Sequence, residues 1–144
     1  MILSGKIEGL IPMGAPRLTR TGKYGATAQK YHGYCNILRM RAGTFKSEGR
    51  PFLVQLGFSF EMPKSWSNKK KAAKASTPHT SKPDLDNLCK GIIDALVKDD
   101  PVNPDGTKAK QYGDQTMHKL EGSKHWAGIG KGPAIYYHFE HIGD

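Results

Sequence analysis

Apolar residues recur along this chain in two rhythms, and the changes of rhythm mark its elements. Phe52, Val54, Leu56, Phe58 and Phe60 alternate with Leu53, Gln55, Gly57 and Ser59, a period of two that predicts a strand with an aromatic core face. From Leu85 onward the rhythm lengthens: Leu88, Cys89, Ile92, Ile93, Ala95 and Leu96 recur at three- and four-residue spacing, which predicts an amphipathic helix with its stripe on the core. Tyr31, Tyr34, Cys35 and Leu38 predict an earlier helix over residues 27 to about 40, with Gly43 as its stop. Leu3, Ile7 and Ile11 make an imperfect alternation for a first strand. Thr116, His118 and Leu120 predict a strand within 113–123 that opens at Asp114, and a last strand falls near 134–142. The glycine-rich stretch 124–132 reads as the hairpin between those two strands.

These elements give an α+β fold in the order β-α-β-α-β-β, a mixed sheet packed by two helices. A chain of 144 residues has the size of a single domain and buries a core without disulfides. Two segments stand outside the pattern. Residues 12–23 are rich in Pro and Gly and carry Arg17 and Arg20, which reads as an exposed basic loop. Residues 64–80 hold five lysines, Lys69, Lys70 and Lys71 among them, with almost nothing to bury. They are expected to be mobile without a ligand, with at most a short surface helix around 68–75 and with Trp66 packed down.

Charge narrows the partner. The chain carries 22 Lys and Arg against 13 Asp and Glu, a net +9, which favours a polyanion through phosphate contacts and counterion release. No apolar run approaches the roughly 20 residues that span a bilayer, and the N-terminus does not read as a secretory signal. A cytoplasmic protein that does not enter membranes is therefore expected. Cys35 and Cys89 lack metal-type pairing and are expected to be reduced thiols. His32 and Cys35 have no second pair to complete a tetrahedral site. The acidic turn at 99–106 fails as a calcium loop because Pro101 and Tyr112 occupy two ligand slots, and 124–132 lacks the spacing of a phosphate loop.

The candidate chemistry lies at the start of the second helix, where the lysine-rich segment leads into Asp84 and Asp86. Acids there ordinarily cap the helix and complement its dipole. In a chain built to approach polyanions they would also repel phosphate at the point where its basic segment delivers the substrate. A divalent cation resolves that conflict: Mg²⁺ takes one or two carboxylates and a substrate phosphate while keeping waters. Bound there, it would polarise phosphorus and make a water more acidic. Lys90, one turn beyond Asp86 on the same flank, would steady charge developing in the transition state, or else pair with Asp86 or Asp94. Asp114, at the opening of a strand, is the candidate third carboxylate, preferred over Asp99, Asp100 and Asp105 in the turn.

The string Asp84-Leu85-Asp86-Asn87-Leu88-Cys89-Lys90, followed by Ile93-Asp94-Ala95-Leu96 and later by Asp114-Gln115, resembles the RusA family of Holliday junction resolvases. The lysine-rich segment before it is similar to that of phage-type relatives. The resemblance implies a RusA-like fold and a small homodimeric endonuclease that depends on Mg²⁺, or Mn²⁺ in its place, and makes paired cuts in four-way DNA junctions during recombination and repair. It carries metal-binding or catalytic roles to Asp84, Asp86 and Asp114 and a catalytic role to Lys90. Arg17, Arg20, Lys69, Lys70 and Lys71 would guide the DNA backbone. Two other functions stay open: a nuclease for other branched DNA such as flaps and forks, and a non-catalytic DNA-binding module.

Overall fold

A computed structural model describes residues 1–17 and 25–143. Its elements are β1 (Ile2–Glu8), α1 (Ala26–Ala42), β2 (Phe52–Phe60), α2 (Asn68–Lys74), α3 (Leu85–Leu96), β3 (Met117–Trp126) and β4 (Ala134–His141). The four strands form one mixed sheet in the order β1-β4-β2-β3. β2 pairs parallel with β3 and antiparallel with β4, and β1 pairs antiparallel with β4. The expected α+β architecture is present, with α2 inserted before the central helix.

The two rhythms explain which surfaces meet. Phe52, Val54, Leu56, Phe58 and Phe60 of β2 are all buried beside Ile135, Tyr137 and Phe139 of β4, because alternate side chains share one face of a strand. The helices cover that face. Leu88, Ile92 and Leu96 of α3 and Leu38 of α1 are fully enclosed, each burial contributing about 1.5–3 kcal/mol. Close packing also dictates Gly122 on β3: a Cβ there would stand 2.8 Å from Cys89 Sγ, nearer than real atoms approach. Burial, then the Asp86 charge, pushes the Cys89 thiol up to about 11, so it stays a thiol at neutral pH.

Three expectations are corrected. β1 ends at Glu8, where Gly9 turns the chain at φ 83°, and Ile11 lies outside the strand, 69 % exposed. β3 begins at Met117, so Asp114 sits in the preceding turn rather than opening the strand. Residues 127–133 are no hairpin, because β3 and β4 lie on opposite sides of β2. That connection crosses the end of β2, where the Ala127 N–H donates to the Phe60 carbonyl at 2.7 Å. Glycine-rich composition marks a turn but does not say which strand becomes the neighbour.

The lysine-rich segment carries more order than its composition suggests. The Ser67 hydroxyl caps α2 by accepting from the Lys70 N–H at 3.2 Å, although the helix buries no residue. Residues 76–79 then lie along the outer edge of β3, with Ser76 N–H donating to Trp126 O, Trp126 N–H to Thr77 O, and His79 N–H to Lys124 O. Trp66 packs edge-on against Trp126, ring centroids 4.8 Å apart, with Lys70 Nζ 4.3 Å from its own ring centroid.

Below this segment His79 is 5 % exposed, stacked on Phe60 at 4.3 Å and tilted against Trp126 at 4.4 Å. Burial, and then the Lys124 ammonium, lowers its pKa below the ordinary histidine value. The unfolded chain therefore binds that proton more readily. The stability contributed by the neutral ring is present above about pH 6.5 and is lost as pH falls through the lower folded value. Thermal melts from pH 7.5 down to 5 should show this decline, and His79→Phe, which keeps the stack without a titrating group, should flatten it.

Candidate active site

Three segments converge on the first turn of α3. The Asp84 carbonyl accepts the first helical bond, from Leu88 N–H at 3.1 Å, which makes Asp84 the N-cap. Its side chain nevertheless accepts no capping hydrogen bond, in contrast to Ser67 on α2. The Asp84 and Asp86 side chains are both exposed. The ordinary explanation of an acid at this position, a cap, does not apply to Asp84.

Two tethers hold the helix start in place. Lys124 Nζ, from the helix-facing side of β3, donates to the Pro83 carbonyl at 2.8 Å and to the Ser81 carbonyl. From the other side, the Ala15 N–H donates to the Asn87 carbonyl at 2.9 Å. Gly14 is needed there, since a Cβ would stand 3.2 Å from Pro83 Cβ and 3.3 Å from Asn87 Cβ. Residues 14 and 15 of the first basic loop are thus held against the helix start, with Arg17 exposed two residues beyond the tether. Arg20 lies outside the described residues. Lys69 and Lys70 are exposed on α2 and Lys71 half-buried.

Lys90 is exposed one turn after Asp86. Among the described residues neither Asp86 nor Asp94 forms an ion pair with it; Asp94 instead accepts from the Tyr31 hydroxyl at 3.4 Å. The alternative explanation of Lys90, a helix ion pair, is therefore absent.

Asp114 stands apart. It follows Gly113, whose N–H is held by Asp99 just beyond the C-terminal end of α3, while Asp84 and Asp86 occupy the other end. Twelve helical residues separate the ends by about 18 Å. Among the described residues no group of three or more His, Cys, Asp or Glu could hold a metal ion. The structure thus brings together Asp84, Asp86, Lys90 and the Arg17 loop, and leaves Asp114 outside that group.

Residues 10–117 match the family model described as endodeoxyribonuclease RusA, about three quarters of the 144 residues. The chain belongs to the RusA family. It is accordingly an endodeoxyribonuclease, a hydrolase of DNA phosphodiester bonds, in a family that acts on branched DNA junctions. Nucleases of this kind use divalent metal ions, and the hard, exposed oxygens of Asp84 and Asp86 suit such an ion. No curated protein gives a significant match to the chain. No described helix is long and apolar enough to cross a membrane.

Two residues that shape the surroundings of α3, one at each end, escaped sequence reasoning. Lys124 gives no local signal, because its partners lie some forty residues upstream. Asp99, set aside as part of a flexible turn, is a hub: it accepts from Ser47 N–H at 2.8 Å, Ser47 Oγ at 2.9 Å, Glu48 N–H at 3.1 Å, Tyr112 N–H at 2.8 Å and Gly113 N–H at 3.0 Å. Burial alone would raise its pKa, but the bonds from Glu48, Tyr112, Gly113 and Ser47 outweigh it and hold the carboxyl below the usual range. Asp99→Ala would strand these donors and should lower stability by about 2–4 kcal/mol. Urea unfolding measures the loss, and faster hydrogen exchange at the Tyr112 and Gly113 amides would localise it.

Proposed function

We propose that this RusA-family chain resolves four-way DNA junctions in recombination and repair. In this reading Asp84 and Asp86 hold a Mg²⁺ ion and Lys90 stabilises the charge that builds on the phosphate. The observation that carries it is the Asp84 carboxylate, which makes no capping bond, beside an exposed Asp86 at a helix start to which Ala15 of a basic loop is tied. The cation supplies Lewis acidity and a more acidic water when bound. The chain's own groups do the rest. Arg17, Arg20, Lys69, Lys70 and Lys71 guide the DNA backbone, Lys124 and the Ala15 tether fix the helix start, and Lys90 places a compact positive charge one turn below it. A module whose acids only cap the helix is disfavoured, because Asp84 does not cap.

A homodimer suits a substrate with two strands to cut, and it also offers Asp114 a role. One chain keeps Asp114 about a helix length from Asp84, so a third carboxylate for this site would come from a second copy. The test uses purified protein with Mg²⁺ on synthetic four-way junction, flap, fork and linear duplex. Symmetric paired cuts in the junction support resolution. Preferential cutting of flaps or forks supports the broader branched-DNA nuclease, and binding without metal-dependent cleavage would sink both. Mixing Asp86→Asn with Asp114→Asn, each inactive alone, then tests the shared site. Random exchange leaves about a quarter of the sites intact if copies share ligands and none if each chain builds its own.

A further inference from the structure

With both large helices on one face of the sheet, the other face is left open, and a groove of about 690 Å³ runs across one end of it. Lys6, Tyr136, His125, Lys131 and Ser59 line it. Tyr136 is 44 % exposed, and Lys6 Nζ lies 5.1 Å from its ring centroid. Lys131, exposed on the crossover after β3, also borders an adjoining depression with Lys64 and Lys71 of the lysine-rich segment. Lys6 and Lys131, from two separate stretches of chain, therefore line the groove that holds the accessible Tyr136 ring, and Lys64 and Lys71 border the depression beside it; Glu8 is paired with Lys6 at 2.7 Å, and Glu61 borders the second depression.

The position of the groove matters as much as its lining. Lys124 and His125 are consecutive on β3, and successive strand side chains point to opposite faces. Lys124 reaches the Pro83 carbonyl beside Asp84, while His125 lines the groove. The groove and the acids thus open at the same end of the sheet, and DNA crossing that end meets both.

We propose that this groove binds one unpaired nucleotide of the branched DNA, its base on Tyr136 and its phosphate on Lys131. A paired duplex offers phosphates, but its base faces are covered by their neighbours, so an exposed ring gains nothing from it. At a branch point bases unstack, and an aromatic ring flanked by cations captures them without regard to sequence. The proposal rests on the reading of the chain as an enzyme of branched DNA, and it adds how the branch is distinguished from the arms.

The experiment measures binding in EDTA by fluorescence anisotropy, with labelled oligothymidine of about 12 nucleotides, a linear duplex and a four-way junction. Tyr136→Ala should weaken oligothymidine and junction binding by about fivefold or more while leaving duplex binding within about twofold. Tyr136→Phe, which keeps the ring, should bind all three as the wild type does. Lys131→Ala should weaken oligothymidine binding and lower its salt slope by about one phosphate. Unchanged oligothymidine and junction affinity in Tyr136→Ala would overturn the proposal, as would an equal loss on all three substrates. A change of sedimentation in Tyr136→Ala would also overturn it, by making the groove an interface between copies. Failure of the wild type to cut junctions with Mg²⁺ would remove the resolvase reading instead, a result separable from oligothymidine binding in EDTA.

Discussion

Asp86→Asn is expected to reduce Mg²⁺-dependent junction cleavage by at least about a hundredfold, the scale on which one electrostatic element of an active site acts. Junction binding in EDTA should stay equal or become slightly tighter. The amide has the size of the carboxylate and the position is exposed, so the helix keeps its shape. What disappears is one of two adjacent negative charges that would hold a hard cation, and the same charge repels phosphate when no cation is present. A built-in check on the fold exists: the Asp86 charge helps to raise the Cys89 thiol pKa, so in a folded variant that thiol should titrate lower than in the wild type. Cleavage retained by Asp86→Asn would remove Asp86 from the metal site. Cleavage and binding lost together, with a lowered melting temperature, would assign Asp86 to the fold instead.

Junction affinity is expected to fall roughly 500-fold as salt rises from about 50 to 200 mM. Each phosphate neutralised contributes about −0.9 to the slope of log affinity against log salt, so the five cations Arg17, Arg20, Lys69, Lys70 and Lys71 together give a slope near −4.5. The structure gives this sum a physical basis in part. Lys69 and Lys70 are exposed on α2, and Arg17 is carried on a loop tied to the helix bearing the acids. Anisotropy titrations at several salt concentrations measure the slope, and replacing any one of the five by Ala should lower it by about one unit. A flat response would mean that these residues do not hold the DNA.

The two predictions draw on different kinds of legibility. Asp86 and Lys90 were readable because helical periodicity is local: four residues along one helix share a flank whatever the rest of the chain does. The burial of Leu88, Ile92 and Leu96, and of every second residue from Phe52 to Phe60, follows from the same kind of regularity. Asp99 was not readable. Its donors Ser47 and Glu48 come some fifty residues earlier, brought to it because Phe45 hydrogen-bonds to Leu96 and Lys98 at the end of α3. A carboxylate in a turn looks alike in sequence whether it faces water or gathers two loops.

Strand order shows the same division. Alternation marked β2 and β4, yet it could not say that β4 inserts between β1 and β2 while β3 takes the outer edge. That choice depends on which face each strand can bury against α1 and α3, a property of all of them at once. Asp114 bears the consequence, since its adjacency to a strand was visible but its distance from Asp84 was set by the full run of α3 between them. The sequence by itself determined the helix that carries Asp84, Asp86 and Lys90, the aromatic face of the sheet and the basic character of the approaches, because each is written in local spacing and composition. Tertiary structure alone decided that Lys124 and the Ala15 loop brace that helix, that Asp99 joins two loops, and that Asp114 stands at the far end, because contacts between distant residues arise only when the whole chain packs.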